Sequence, residues 1–112
     1  MVQATLPSDR ADRLFKALAD PTRREILSLL RGGRLSVGDI ARNFHTSRPA
    51  VSKHLRLLRE ARLVVDSKHG TTSLYALNAE PLQAVDTWLE HYRVFWRRNL
   101  QQLKEHVEHT HD

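Results

Sequence analysis

Cysteine is absent from this 112-residue chain, which excludes disulfides and thiolate metal sites and fits a cytoplasmic setting. Nor is there an apolar run of about 18 residues, the least that suggests a membrane-spanning helix. The first residues lack the pattern of a secretory signal peptide. Repeats, low-complexity tracts and linkers are missing too, so the length reads as one domain, 1–112, with a modest core. Enzyme chemistry has no foothold: there is no Gly-rich phosphate loop, no paired nucleophile and base, and no metal constellation. No cofactor and no membrane partner is expected.

What the chain does have is positive charge in one place. The formal net charge is +5. Between Arg42 and Thr72 stand Arg42, Arg48, Lys53, Arg56, Arg59, Arg62 and Lys68, against only Glu60 and Asp66; the remainder holds eleven residues of each sign. The whole excess therefore sits on one segment, as an electrostatic footprint for phosphate would.

The local signals order the chain. Residues 1–7 read as a frayed arm. A first helix starts near Ser8, with Asp9 and Asp12 in its first turn and Leu14, Phe15 and Leu18 along it. Asp20-Pro21 restarts the chain, Asp as N-cap and Pro at the first helical position. This second helix buries Ile26, Leu29 and Leu30 and stops at Gly32-Gly33. Ser36-Val37-Gly38-Asp39 resembles a capping box and opens a short third helix with Val37, Ile40 and Ala41 inward. Asn43 to Thr46 turn the chain; Ser47 is the next N-cap, Pro49 fits its first turn, and a fourth helix runs to about Ala61. Leu63–Ser67 and Thr72–Leu77 are β-rich and joined through Lys68-His69-Gly70-Thr71. Asn78 caps a last helix reaching roughly His109. The expected fold is mainly α with a small β-hairpin wing, a winged helix-turn-helix in the order ααααββα.

On a helical wheel Val51, Leu55 and Leu58 face the core, and Pro49, Ser52, Lys53 and Arg56 fall opposite, with Arg48 at the flank. In helix-turn-helix docking the N-terminal half of the second helix enters the major groove. Arg48, Ser52 and Lys53 are thus expected nearest base edges, and Ser47 and Arg56 at phosphate. Lys68, His69 and Thr71 at the wing tip are placed for a neighbouring groove or backbone. His54, bordering the apolar face, reads as half-buried packing; His45 reads as a turn residue with local hydrogen bonds.

The last helix carries Leu82, Val85, Leu89, Tyr92, Trp96, Leu100, Leu103 and Val107 at alternating spacings of three and four, widened by Trp88 and Phe95. At 1.5 Å per residue its length is on the order of 45 Å, more than a small winged domain covers. A second copy of the chain is the simplest partner, with the first and last helices (about 8–19 and 79–109) at the interface through Leu14, Leu18, Leu82, Val85, Leu89, Tyr92, Trp96, Leu100 and Leu103. A homodimer also sets two reading helices about 34–36 Å apart, suited to an approximately palindromic double-stranded DNA operator.

The segment from Leu14 to Leu77 closely resembles the ArsR-type winged helix-turn-helix repressors: Ala-Asp-Pro-Thr-Arg, Ser-x-x-Ala-Val-Ser-x-His-Leu and a Gly-bearing wing occur in order. The resemblance implies a dimeric regulator of transcription that blocks promoters, often its own. Many members of that family release DNA on binding metal. Their Cys-x-Cys pair would fall at Ser36 and Gly38, and Trp88 stands where their Asp-x-His motif would need His. The resemblance thus points to the metal-independent branch, with no metal site expected. Two other readings stay open: a metal-responsive repressor using His106, His109 and His111, or a winged domain serving protein–protein assembly.

Overall fold

A computed structural model describes residues 8–110. The expected arm at residues 1–7 lies outside them. Five helices and three short strands follow in the order α1 (Ser8–Leu18), α2 (Pro21–Leu30), β1 (Leu35–Ser36), α3 (Val37–Ala41), α4 (Arg48–Glu60), β2 (Val64–His69), β3 (Thr72–Leu77) and α5 (Glu80–Thr110). The winged helix-turn-helix is present, with one strand more than expected. Leu35 and Ser36 pair antiparallel with Tyr75 and Leu74, giving a three-stranded sheet in the order β1-β3-β2. Two residues are too short to show a period-two pattern; only pairing with β3 makes them a strand.

The caps act where the sequence places them. The Asp20 carboxylate accepts from the Arg23 N–H at 3.0 Å, and the Ser36 hydroxyl accepts from the Asp39 N–H at 3.1 Å, each satisfying a donor the helix leaves open. Past Leu30 the chain unwinds through i→i−3 bonds from Arg31, Gly32 and Gly33. Gly33, at φ 132°, takes a conformation that side chains resist. The β2–β3 link is tighter than the four residues expected. His69 pairs with Thr72, leaving a two-residue turn whose first member, Gly70, has φ 67°, the placement that a type II′ hairpin turn wants.

The core gathers one face from each of the first four helices and the base of the wing. Ile26, Ile40, Val51, Leu55, Leu58, Leu63 and Val64 are almost wholly enclosed. In α2 the third buried residue is Leu27, while Leu29, expected inward, is half-exposed. Among the described residues no charged or polar side chain is fully buried. No described helix is long and apolar enough to cross a membrane.

Candidate nucleic-acid interface

Helix α4 is fixed in rotation by Val51, Leu55 and Leu58, each completely enclosed. That leaves Pro49, Ser52, Lys53 and Arg56 exposed on its other side. The Ser47 hydroxyl accepts from the Ala50 N–H at 3.3 Å, and Pro49 needs no intrahelical donor in this first turn. Arg48 folds back over α3: its Nη2 lies 3.7 Å from the point a Cβ on Gly38 would occupy.

The seven cations of the basic segment separate once their partners are known. Arg42 donates to Asp39 at 2.7 Å, and Arg59 to Asp66 at 3.4 Å, joining the last turn of α4 to β2. Arg62 lines a cavity against α1 and α5. Arg48, Lys53, Arg56 and Lys68 make no ion pair with any described residue. The charge left open to an external anion is therefore along the exposed side of α4, from Arg48 to Arg56, and at the wing tip, with Arg62 apart from it at the cavity.

At the wing tip, Lys68 and Thr71 are exposed. His69 is not a bare turn residue: its Nε2 lies 3.3 Å from Arg34 Nη1 and 3.2 Å from Ser67 Oγ. Arginine only donates, so Nε2 accepts and the neutral ring carries its proton on Nδ1. Arg34 precedes the basic segment and was not singled out by the sequence; the unforeseen strand β1 brings it to the wing.

His54 is half-buried as expected, yet its role is polar. Its Nδ1 lies 3.3 Å from Arg23 Nη1 and 3.9 Å from Asp20 Oδ2. The same Arg23 donates from Nε to Ala17 O at 2.9 Å and from Nη2 to Lys16 O at 2.8 Å, closing the C-terminus of α1. The N–H of Arg23 holds the Asp20 carboxyl below its ordinary value of 3.8, aided by the Arg23 and His54 charges and opposed by burial. A helix-end junction is thus tied to α4. His45, expected to bond locally, makes no hydrogen bond to a described residue and is exposed.

The residues expected at a dimer interface fall into two sets. Leu14 is only 4% exposed and belongs to the chain's own core, so its side chain offers a partner almost nothing. Leu18, Leu82 and Val85 pack at the core margin, and Leu89 is half-buried. An edge-to-face series, Phe15–Trp88 at 5.9 Å and Trp88–Tyr92 at 5.2 Å, pins the start of α5 to α1. Beyond it Tyr92, Trp96, Leu100 and Leu103 are exposed, Leu100 by 64%, and Phe95 and Val107 with them. On another face of α5, Arg93 pairs with Asp86 and with Glu90. His106 is exposed on α5; the His109 side chain and His111 lie outside what is described. Among the described residues no group of three or more His, Asp or Glu converges as metal ligands would.

Comparison with known proteins gives this geometry relatives. Residues 20–65 match the family model described as bacterial regulatory protein, arsR family. The transcriptional repressor SdpR of Bacillus subtilis is 44% identical over 78 residues, covering 70% of this chain and 87% of the repressor. A crystal structure of the ArsR family transcriptional regulator RHA00566 superposes with a TM-score of 0.75 at 32% identity, over 87% of this chain and 97% of that one. The homodimeric winged helix-turn-helix DNA-binding domain of Mb0332 from Mycobacterium bovis, seen in solution, gives 0.61 at 31% identity, over 90% of this chain and 84% of that fragment.

Proposed function

The chain belongs to the ArsR family of bacterial regulatory proteins, and from that premise we propose that it is a homodimeric, sequence-specific DNA-binding regulator that represses its own or a neighbouring operon. One observation carries the reading: within the basic segment Arg48 and Lys53 on the first half of α4, Arg56 further along its exposed side and Lys68 at the wing tip make no ion pair with a described residue, and only Arg62, at the cavity, shares that state elsewhere. In helix-turn-helix docking the first half of the second helix enters the major groove. Arg48, Ser52 and Lys53 read base edges, Arg suiting the paired acceptors of guanine. Ser47, Pro49 and Arg56 lie along the backbone, and Lys68, His69 and Thr71 reach the adjacent groove.

Dimerisation rests on α5. Its 31 residues make a rod of about 46 Å whose far half keeps Trp96, Leu100 and Leu103 in water. Monomeric proteins seldom leave so continuous an apolar strip uncovered. A second α5 with its α1 covers it through Leu18, Leu82, Val85, Leu89, Tyr92, Trp96, Leu100 and Leu103. The pair then presents two α4 helices to successive major grooves of an approximately palindromic operator. That the repressor SdpR and a homodimeric DNA-binding domain are its relatives supports the same reading.

The test is selection of bound fragments from the host genome, followed by fluorescence anisotropy across a salt series. A pseudo-palindrome beside the protein's own gene, with affinity falling steeply as salt rises, is the expected result. Binding insensitive to salt, or no sequence preference, would overturn it.

A further inference from the structure

Between α1, the end of α4 and the start of α5 lies a cavity of about 350 Å³, within the size range of small-ligand sites. Leu14, Ala61, Pro81 and Ala84 give it apolar walls; Arg10, Arg13 and Arg62 stand around it. None of these three guanidinium groups makes a side-chain hydrogen bond or ion pair with a described residue. Glu60 and Glu80 also border the cavity, and neither comes within ion-pair distance of the arginines. Three fork-shaped donors against two carboxylates leave the site cationic, and planar guanidinium is matched to carboxylate by paired hydrogen bonds.

We propose that this cavity binds a small organic carboxylate with a short apolar body, and that it is the effector site of the protein. The apolar body sits against Pro81 and Ala84, while the carboxylate draws in the unpaired arginines. The site belongs neither to the DNA-facing side of α4 nor to the exposed strip of α5. It does touch the element that would transmit a signal. Arg62 follows the last turn of α4, and the Asn78 side chain both donates to Arg62 O at 2.8 Å and accepts from the Glu80 N–H at 3.3 Å. A ligand clamped here changes how α4 is held against α1 and α5.

The first readout is binding without DNA, so it stands or falls separately from the proposed function. Benzoate is the probe, with benzyl alcohol and benzylamine as neutral and cationic counterparts. Benzoate at millimolar concentration should raise the Tm of the full chain by about 2 °C or more, saturably, and the counterparts should not. Arg10→Gln with Arg13→Gln should weaken benzoate by about tenfold. Arg62→Gly, which keeps the backbone conformation at that position favourable, should weaken it too. No shift with benzoate, an equal shift with benzyl alcohol or benzylamine, or binding unchanged in both variants would overturn the site. Saturating benzoate should also change affinity for the selected operator by about threefold or more. Unchanged operator affinity while benzoate still binds would overturn the effector role.

Discussion

The side-chain amide of Asn78 donates to the backbone carbonyl of Arg62 at 2.8 Å, across 16 residues of sequence. Arg62 has φ 63°, the left-handed conformation that ends a helix and that glycine adopts without penalty. Around it the Arg62 N–H donates to Arg59 O and the Leu63 N–H to Leu58 O, both at 2.9 Å, the bond pair of a Schellman motif. The Asn78 N–H closes the arrangement on Leu63 O at 2.8 Å. An arginine is kept in a glycine conformation because the start of α5 holds it there.

Two substitutions test that account in opposite directions. Arg62→Gly should stabilise the fold by about 1 kcal/mol through release of left-handed strain. Asn78→Ala should destabilise it by about 1–2 kcal/mol, since it strips the Arg62 carbonyl and the Glu80 N–H of a partner at once. Urea unfolding of both variants decides the matter. A destabilised Arg62→Gly would show that the side chain, not the backbone conformation, is what the position needs.

The reading surface should reveal itself in the salt dependence of operator binding. Withdrawing one cation from a phosphate lowers the slope of log K against log salt by about one. In a dimer Arg56→Ala withdraws two, so the slope should fall by about two, with similar weakening on every sequence. Arg48→Ala should instead relax preference at one base pair per half-site, at a cost of about 1–3 kcal/mol each. Equal effects of the two variants on specific and random DNA would contradict the assignment.

Much of this was legible from residue order. Asp20, Ser36 and Ser47 cap their helices because the chemistry of a cap is local. Val51, Leu55 and Leu58 fix which side of α4 is bare because a helical period is local too. What escaped depends on partners distant in sequence. Strand β1 exists only against β3, and without it Arg34 has no reason to meet His69. His54 borders an apolar face on the wheel, yet Arg23, 31 residues away, makes it polar. Leu14 shares a stripe with interface candidates, but α1 tucks it into the chain's own core.

The α5 strip makes a prediction about assembly. Trp96→Glu combined with Leu100→Glu places two charges where burial of each native side chain is worth about 1.5–3 kcal/mol. Both positions are exposed in the single chain, at 49% and 64%, so the helical circular dichroism per chain should be retained. Sedimentation equilibrium should report a dimer for the parent and a monomer for the variant, with operator affinity abolished. A variant that stays dimeric would remove the far half of α5 from the interface.

Acid stability should carry the mark of Asp20. In the folded chain its carboxylate accepts from the Arg23 N–H at 3.0 Å, and its pKa lies below the ordinary 3.8. The unfolded chain takes up the proton first as pH falls, so the stabilisation is complete above 3.8 and is lost as pH drops through the folded value. At neutral pH, Asp20→Ala should cost about 1 kcal/mol by removal of the N-cap, and that difference should shrink below pH 3.8. Asp20→Asn keeps a capping oxygen without a titrating charge, so its stability should fall less than the parent's over the same acid range. Urea midpoints at pH 7, 5 and 3 separate the cases. A parent and an Asp20→Asn variant that lose stability in parallel below 3.8 would assign the acid sensitivity to other carboxylates.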